Sequence, residues 1–174
     1  MLEDLNGMFA FVVYDKTNNV LFGARDRIGI KPLYYLQRPQ FFAFASELKC
    51  FLALPCMERE IDPGSLFHYM SLRYVPGQSS IFRGVKRVPP GHWFKYDLRT
   101  HELVVQQYWD LEFPEAEAGT EAEWSERVRA ELRECVRRWM LSDVPVGVSL
   151  SGGIDSSTIV GILGETGYSG IKTY

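Results

Sequence analysis

Leu150-Ser151-Gly152-Gly153-Ile154-Asp155-Ser156-Ser157 stands between two apolar runs. Before it, Pro145-Val146-Gly147-Val148-Ser149-Leu150 reads as a buried strand. After it, Ile154 to Gly164 reads as a helix, and Ile171 to Tyr174 as the start of a second strand. Strand, helix, strand is a parallel α/β unit. The two glycines let the backbone turn tightly and bring its N–H groups close to a ligand. The helix start adds unpaired donors and the positive end of a dipole. Ser151, Ser156 and Ser157 add hydroxyls. Such a pocket suits phosphate oxygens. It is not a Walker A loop, because no Gly-Lys-Ser/Thr follows. Asp155 would repel phosphate on its own, and a Mg²⁺ bridging Asp155 and the phosphates resolves the conflict.

Upstream of this unit, Thr120 and Glu123 form a capping-box signature. The helix they open carries Trp124, Val128, Leu132, Cys135, Val136, Trp139 and Met140 every three to four residues, which is one apolar face. Early glutamates and the late Arg133, Arg137 and Arg138 suit its dipole. Residues 113–120 contain Glu115, Glu117, Pro114 and Gly119 with no basic residue, and read as a linker.

Through Glu112 the chain reads instead as strands and turns. Met8 to Tyr14 is a buried strand, and Val20 to Arg25 its hairpin partner across Asp15–Asn19. Leu33 to Leu36 pairs with Phe41 to Ala45 through residues 37–40, and Glu47 to Leu54 is a short helix. Asp62-Pro63 opens a helix to about Arg73. Tyr74 to Pro90 is loop, and His92 to Tyr96 with Leu103 to Trp109 is a last hairpin. The aromatic density of 9–14, 34–44 and 67–74 reads as core. Arg25, Asp26, Arg27 and Lys31 read as a loop-fixing cluster rather than a catalytic one, and Glu47 with Lys49 as a helix start.

The 174 residues are 46% hydrophobic, 24% charged and 14% aromatic, a globular composition that excludes a disordered or fibrous chain. A net charge of −3 gives no basic excess for nucleic acid or anionic membrane. The longest apolar run, Met8 to Tyr14, falls far short of the ~20 residues of a membrane helix. Acid follows Met1 where a signal peptide carries base, so a cytoplasmic location is expected. Cys50, Cys56 and Cys135 are odd in number and form no CxxC, which points to free thiols, buried or half-buried, in a reducing compartment. His68, His92 and His101 sit in no metal spacing.

The loop Leu150-Ser151-Gly152-Gly153-Ile154-Asp155-Ser156 resembles the SGGxDS loop of the ATP pyrophosphatases. Five further stretches narrow the resemblance: Leu5 to Phe11, Ala24 to Tyr35, Ala45 to Lys49, Val88 to His92 and Leu141 to Pro145. Together they are similar to the glutamine-hydrolysing asparagine synthetases over essentially the whole chain. The resemblance implies an α+β class: a mainly antiparallel N-terminal-nucleophile glutaminase sandwich, truncated, followed by the first β-α-β unit of an α/β ATP-pyrophosphatase domain. It implies residues 1–112 as the C-terminal part of the glutaminase domain and 121–174 as the N-terminal part of the synthetase domain. It implies aspartate, glutamine and ATP as small-molecule substrates, Mg²⁺, and a homodimer. Leu150, Ser151, Gly152, Gly153, Asp155, Ser156 and Ser157 would bind ATP and pyrophosphate, with Asp155 as metal ligand.

The family's glutaminase nucleophile is a cysteine exposed by loss of Met1, whereas Leu2 stands here, so no catalytic residue carries over. The expectation is therefore an internal piece, inactive by itself. Two alternatives keep or drop the chemistry. One is an amidotransferase of polysaccharide or natural-product pathways, including β-lactam-forming relatives, with another acyl substrate. The other is a non-catalytic truncated product.

Overall fold

The computed structural model describes residues 1–39, 41–113 and 118–174. They divide into two compact units, Met1–Phe113 and Pro114–Tyr174. The first holds strands β1 (Ala10–Asp15), β2 (Val20–Arg25), β3 (Tyr34–Arg38), β4 (Phe41–Ala45), β5 (Val85–Arg87), β6 (His92–Asp97) and β7 (Leu103–Gln107), and helix α1 (Pro63–Leu72). Two antiparallel sheets result, ordered β1-β2-β6-β7 and β4-β3-β5. The Asp15 carboxylate starts the β1–β2 turn by accepting from Thr17 and Asn18 N–H, and Asn19 supplies the left-handed residue (φ 58°) that closes it.

Alternation along the strands builds the core. Leu33, just before β3, and Tyr35 of β3 pack with Phe94 and Tyr96 of β6, beside Val88. On the far side of the second sheet, Leu36 and Val85 meet Phe51 and Met57. Gly23 faces Phe94 across the β2–β6 register. A Cβ there would lie 2.2 Å from the Phe94 ring, which is held by Tyr35 and Phe42. Gly23→Ala is therefore expected to destabilise the first unit by about 1–3 kcal/mol. A thermal melt unchanged by that substitution would show that the ring can move aside.

Several expectations need correction. Met8 to Tyr14 is not a buried strand: β1 is an edge strand, and Met8, Val13 and Tyr14 are exposed. The stretch 74–90 is not all loop. It contains β5, which exists because Val85–Arg87 pairs with Leu36–Tyr34 on the free edge of β3. The connection expected at 37–40 is shorter, since Gln37 and Arg38 belong to β3; Gln40 lies outside the described residues. The three cysteines are free as expected, but all are exposed rather than buried.

The aromatics of 67–74 are not core either. α1 begins as its sequence predicts, with Asp62 accepting from Ser65 N–H and proline following. Its Leu66, Phe67 and Met70 share one face. That face is outward, with Phe67 70% and Met70 75% exposed, while Ser65 on the other side is 2% exposed. In the β1-β2-β6-β7 sheet, the face away from the core carries a half-buried row of Phe11, Phe22 and Trp93. Apolar surface on this scale is expected to bind anilinonaphthalene sulfonate with a gain in fluorescence. A monodisperse chain that leaves the dye dark would contradict the exposure described.

The second unit holds α2 (Glu121–Trp139), β8 (Gly147–Val148), α3 (Ile154–Glu165) and β9 (Lys172–Thr173). Residues 114–117 of the expected linker lie outside the described residues. The capping box forms as read: Thr120 Oγ1 accepts from Glu123 N–H, and the Glu123 carboxylate accepts from Thr120 N–H. β8 and β9 pair in parallel around α3, which is the expected strand–helix–strand unit. The strand expected over 145–150 shrinks to two residues and is not buried. The apolar face of α2 is also largely exposed at Trp124, Val128 and Trp139. Leu132, Trp139, Val148 and Leu163 line a half-open apolar pocket of about 470 Å³. Arg133 ties the two helices, donating from Nε and Nη2 to Glu165 at 3.1 and 2.7 Å, and this hydrogen bonding lowers the Glu165 carboxyl below its ordinary value. On α2 itself, Arg137 and Arg138 pull Glu134 down to about 2.

Candidate functional site

The loop 150–157 is aimed by the short parallel ladder. Gly147 pairs with Lys172 and Val148 with Thr173. Tyr174 N–H donates to Val148 O at 3.0 Å, and Leu150 N–H to Tyr174 O at 2.9 Å, so the ladder runs up to the loop. Gly147 is the residue beneath the Tyr174 ring, where a Cβ would come within 2.9 Å. Past Leu150 the chain turns through Gly152 at φ 78°, a left-handed conformation that favours glycine. Gly153 is the N-cap of α3 and provides no side-chain cap.

The first bond of α3 is Ser157 N–H to Gly153 O, 3.1 Å. The N–H groups of Ile154, Asp155 and Ser156 precede it and have no partner within the helix. They lie at the positive end of the helix dipole. The turn is open at Gly152, where a Cβ would meet nothing within 4 Å, while a Cβ on Gly153 would touch Ser151 Oγ at 3.5 Å. Leu150, Ser151, Gly152, Gly153, Asp155 and Ser157 are exposed and Ser156 is half-buried. The seven residues read from the sequence all lie within 150–157, about the start of α3.

One feature departs from the expected set of free hydroxyls. Gly153 N–H donates to Ser151 Oγ at 3.4 Å, Ser151 Oγ lies 3.2 Å from Ser156 Oγ, and Ser156 Oγ donates to Gly153 O at 3.2 Å. The two serines close a ring that holds the loop, leaving Ser157 as the hydroxyl with no hydrogen bond among the described residues. A pair of serines five apart, bracketing a Gly-Gly and a helix start, is the signal that could have revealed it.

Asp155 occupies the first turn of α3 and is exposed. Its carboxylate has no hydrogen bond or ion pair among the described residues. Those residues contain no group of three His, Cys, Asp or Glu able to hold a metal by themselves. A lone exposed carboxylate beside unpartnered helix-start N–H groups is compatible with Mg²⁺, which is commonly bound by one or two carboxylates together with substrate phosphates.

The charged cluster of the first unit is structural, as read, though not through Arg–Asp pairing. Arg25 donates to the carbonyls of Gly29, Lys31 and Val88, while Asp26 accepts from the N–H groups of Ile30 and Lys31. Tyr108, which the sequence gave no reason to single out, donates to Arg25 O at 2.9 Å. Glu47 and Lys49 form an exposed ion pair at the start of the short Leu48–Ala53 turn.

Comparison with known proteins decides the family. The family model of the glutamine amidotransferase domain matches residues 1–109. The chain belongs to the glutamine amidotransferase family. The asparagine synthase family model matches residues 127–174, which include the loop. Among relatives, glutamine-hydrolysing asparagine synthetase 3 of Bacillus subtilis is 37% identical, covering 92% of this chain and 26% of its own. Glutamine-hydrolysing asparagine synthetase 1 of the same organism is 40% identical over 98% of this chain and 26% of its own. Amidase chry2 of Gibberella zeae is 40% identical over 98% of this chain and 25% of its own. The chain therefore spans about a quarter of the length of these curated relatives. The similarity to glutamine-hydrolysing asparagine synthetases read from the sequence is borne out, as is the antiparallel amidotransferase-type architecture of the first unit. Among the described residues no helix is long and apolar enough to cross a membrane.

Proposed function

We propose that this chain contributes the pyrophosphate-holding loop, and part of the glutaminase scaffold, of an enzyme that amidates aspartate at the expense of ATP. Residues 1–112 belong to the glutaminase domain, 113–120 link, and 121–174 open the synthetase domain. In this reaction a β-carboxylate oxygen of aspartate bonds to the α-phosphorus of ATP as the α–β anhydride bond breaks, releasing pyrophosphate. Ammonia from glutamine hydrolysis then attacks the acyl carbon, and AMP leaves.

The observation that carries this reading is a set of three N–H groups without an intrahelical partner at the start of α3, directly after a left-handed turn that is open at Gly152. Negative charge builds on the leaving pyrophosphate, and fixed donors aimed at that position lower the barrier without reorganising. Ile154, Asp155 and Ser156 supply backbone donors, Ser157 a hydroxyl, and Ser151 and Ser156 hold the turn or open toward phosphate. Leu150, two residues past β8, donates its N–H to Tyr174 O and so fixes where the turn begins. Asp155 would hold Mg²⁺, whose chemistry is to neutralise charge on phosphate oxygens.

One observation favours a second reading. A relative matching the same span at the same identity is named an amidase. The same domain pair would then act on a different carboxylate, with the loop doing the same work on ATP.

Pyrophosphate binding tests the loop directly. In the presence of Mg²⁺, phosphorus NMR titration of the 174-residue chain should show saturable binding of pyrophosphate. Gly152→Ala should weaken it about tenfold, because an L side chain pays roughly 1–2 kcal/mol in the left-handed region and the turn relaxes away. Equal binding by the two chains, or none by either while circular dichroism shows α3 intact, would refute the assignment.

A further inference from the structure

We draw no further inference here: the strongest candidate, the outward apolar face of α1 formed by Leu66, Phe67 and Met70, is an unpartnered helix face, and nothing in the structure shows what covers it.

Discussion

Asp155→Asn is expected to slow aspartate-dependent pyrophosphate release by about two to three orders of magnitude. The measurement uses a chimera in which these 174 residues replace the matching segment of Bacillus subtilis asparagine synthetase 1, a 40% identical relative. Two roles compete for this carboxylate. As a helix-start acid it would interact with the dipole of α3, a contribution of about 0.3–1 kcal/mol at an exposed position. Losing it would then cost a little stability and leave turnover nearly intact. As a metal ligand it would act on the charge of the leaving group, where each 1.36 kcal/mol is about tenfold in rate. Its position argues for the second role. It has no hydrogen bond or ion pair among the described residues, and it lies beside donors that would otherwise be best served by an anion without a neighbouring carboxylate. Asn keeps size and loop geometry and removes only the charge. Glutamine hydrolysis in the same chimera should persist, which separates a local effect from unfolding. Asp155→Glu should recover part of the rate. Pyrophosphate release near that of the unsubstituted chimera would leave Asp155 as a helix-start residue only.

What could be read in advance was what local chemistry decides. Asp62-Pro63 and Thr120 with Glu123 announce helix starts because the capping groups lie within three residues of the donors they satisfy. The turn from β8 into α3 was legible for the same reason: a glycine pair between two apolar runs marks a tight turn, and Gly152 takes it at φ 78°. Features made by distant partners were not legible. Val85–Arg87 lies between Gly84 and Pro89-Pro90 and looks like loop until the edge of β3 offers it a ladder. Residue type also failed as a guide to burial. Cysteine and phenylalanine are usually inside. Yet Cys50, Cys56, Cys135 and Phe67 are exposed here, because burial depends on a facing surface that local sequence does not specify. Within the site, the Ser151–Ser156 ring depends on side-chain directions across a turn, which spacing alone does not give.

The largest loss of stability is expected at Asp26. This carboxylate is 1% exposed and sits in the connection between β2 and β3. Its two oxygens accept from Ile30 N–H at 2.9 Å and Lys31 N–H at 3.0 Å. Its backbone joins the same knot: Asp26 N–H donates to Phe9 O, and Asp26 O accepts from Gly29 and Gly91 N–H. Gly29 and Gly91 adopt φ of 72° and 64°, and a Cβ on Gly91 would lie 2.5 Å from Trp109 O, so the backbone here is closely constrained. Asp26→Asn offers one acceptor and an NH₂ group where two N–H donors converge. One buried donor loses its partner, and the neighbouring Arg25, 7% exposed, loses a nearby anion. The expected cost is about 2–4 kcal/mol, built from an unsatisfied buried donor and a lost charge-assisted bond. Burial pushes the Asp26 carboxyl up, but the N–H groups of Lys31 and Ile30 outweigh it and hold the group below its ordinary value. A carboxyl lowered in the folded state stabilises fully above its unfolded pKa, about 4, and loses that contribution as pH falls through the folded value. The gap in melting temperature between the original chain and Asp26→Asn should thus be constant from neutral pH down to about 5 and narrow below about 4. Coincident melts at pH 7 would show that the knot is held by its backbone bonds and the Arg25 fork without the carboxylate.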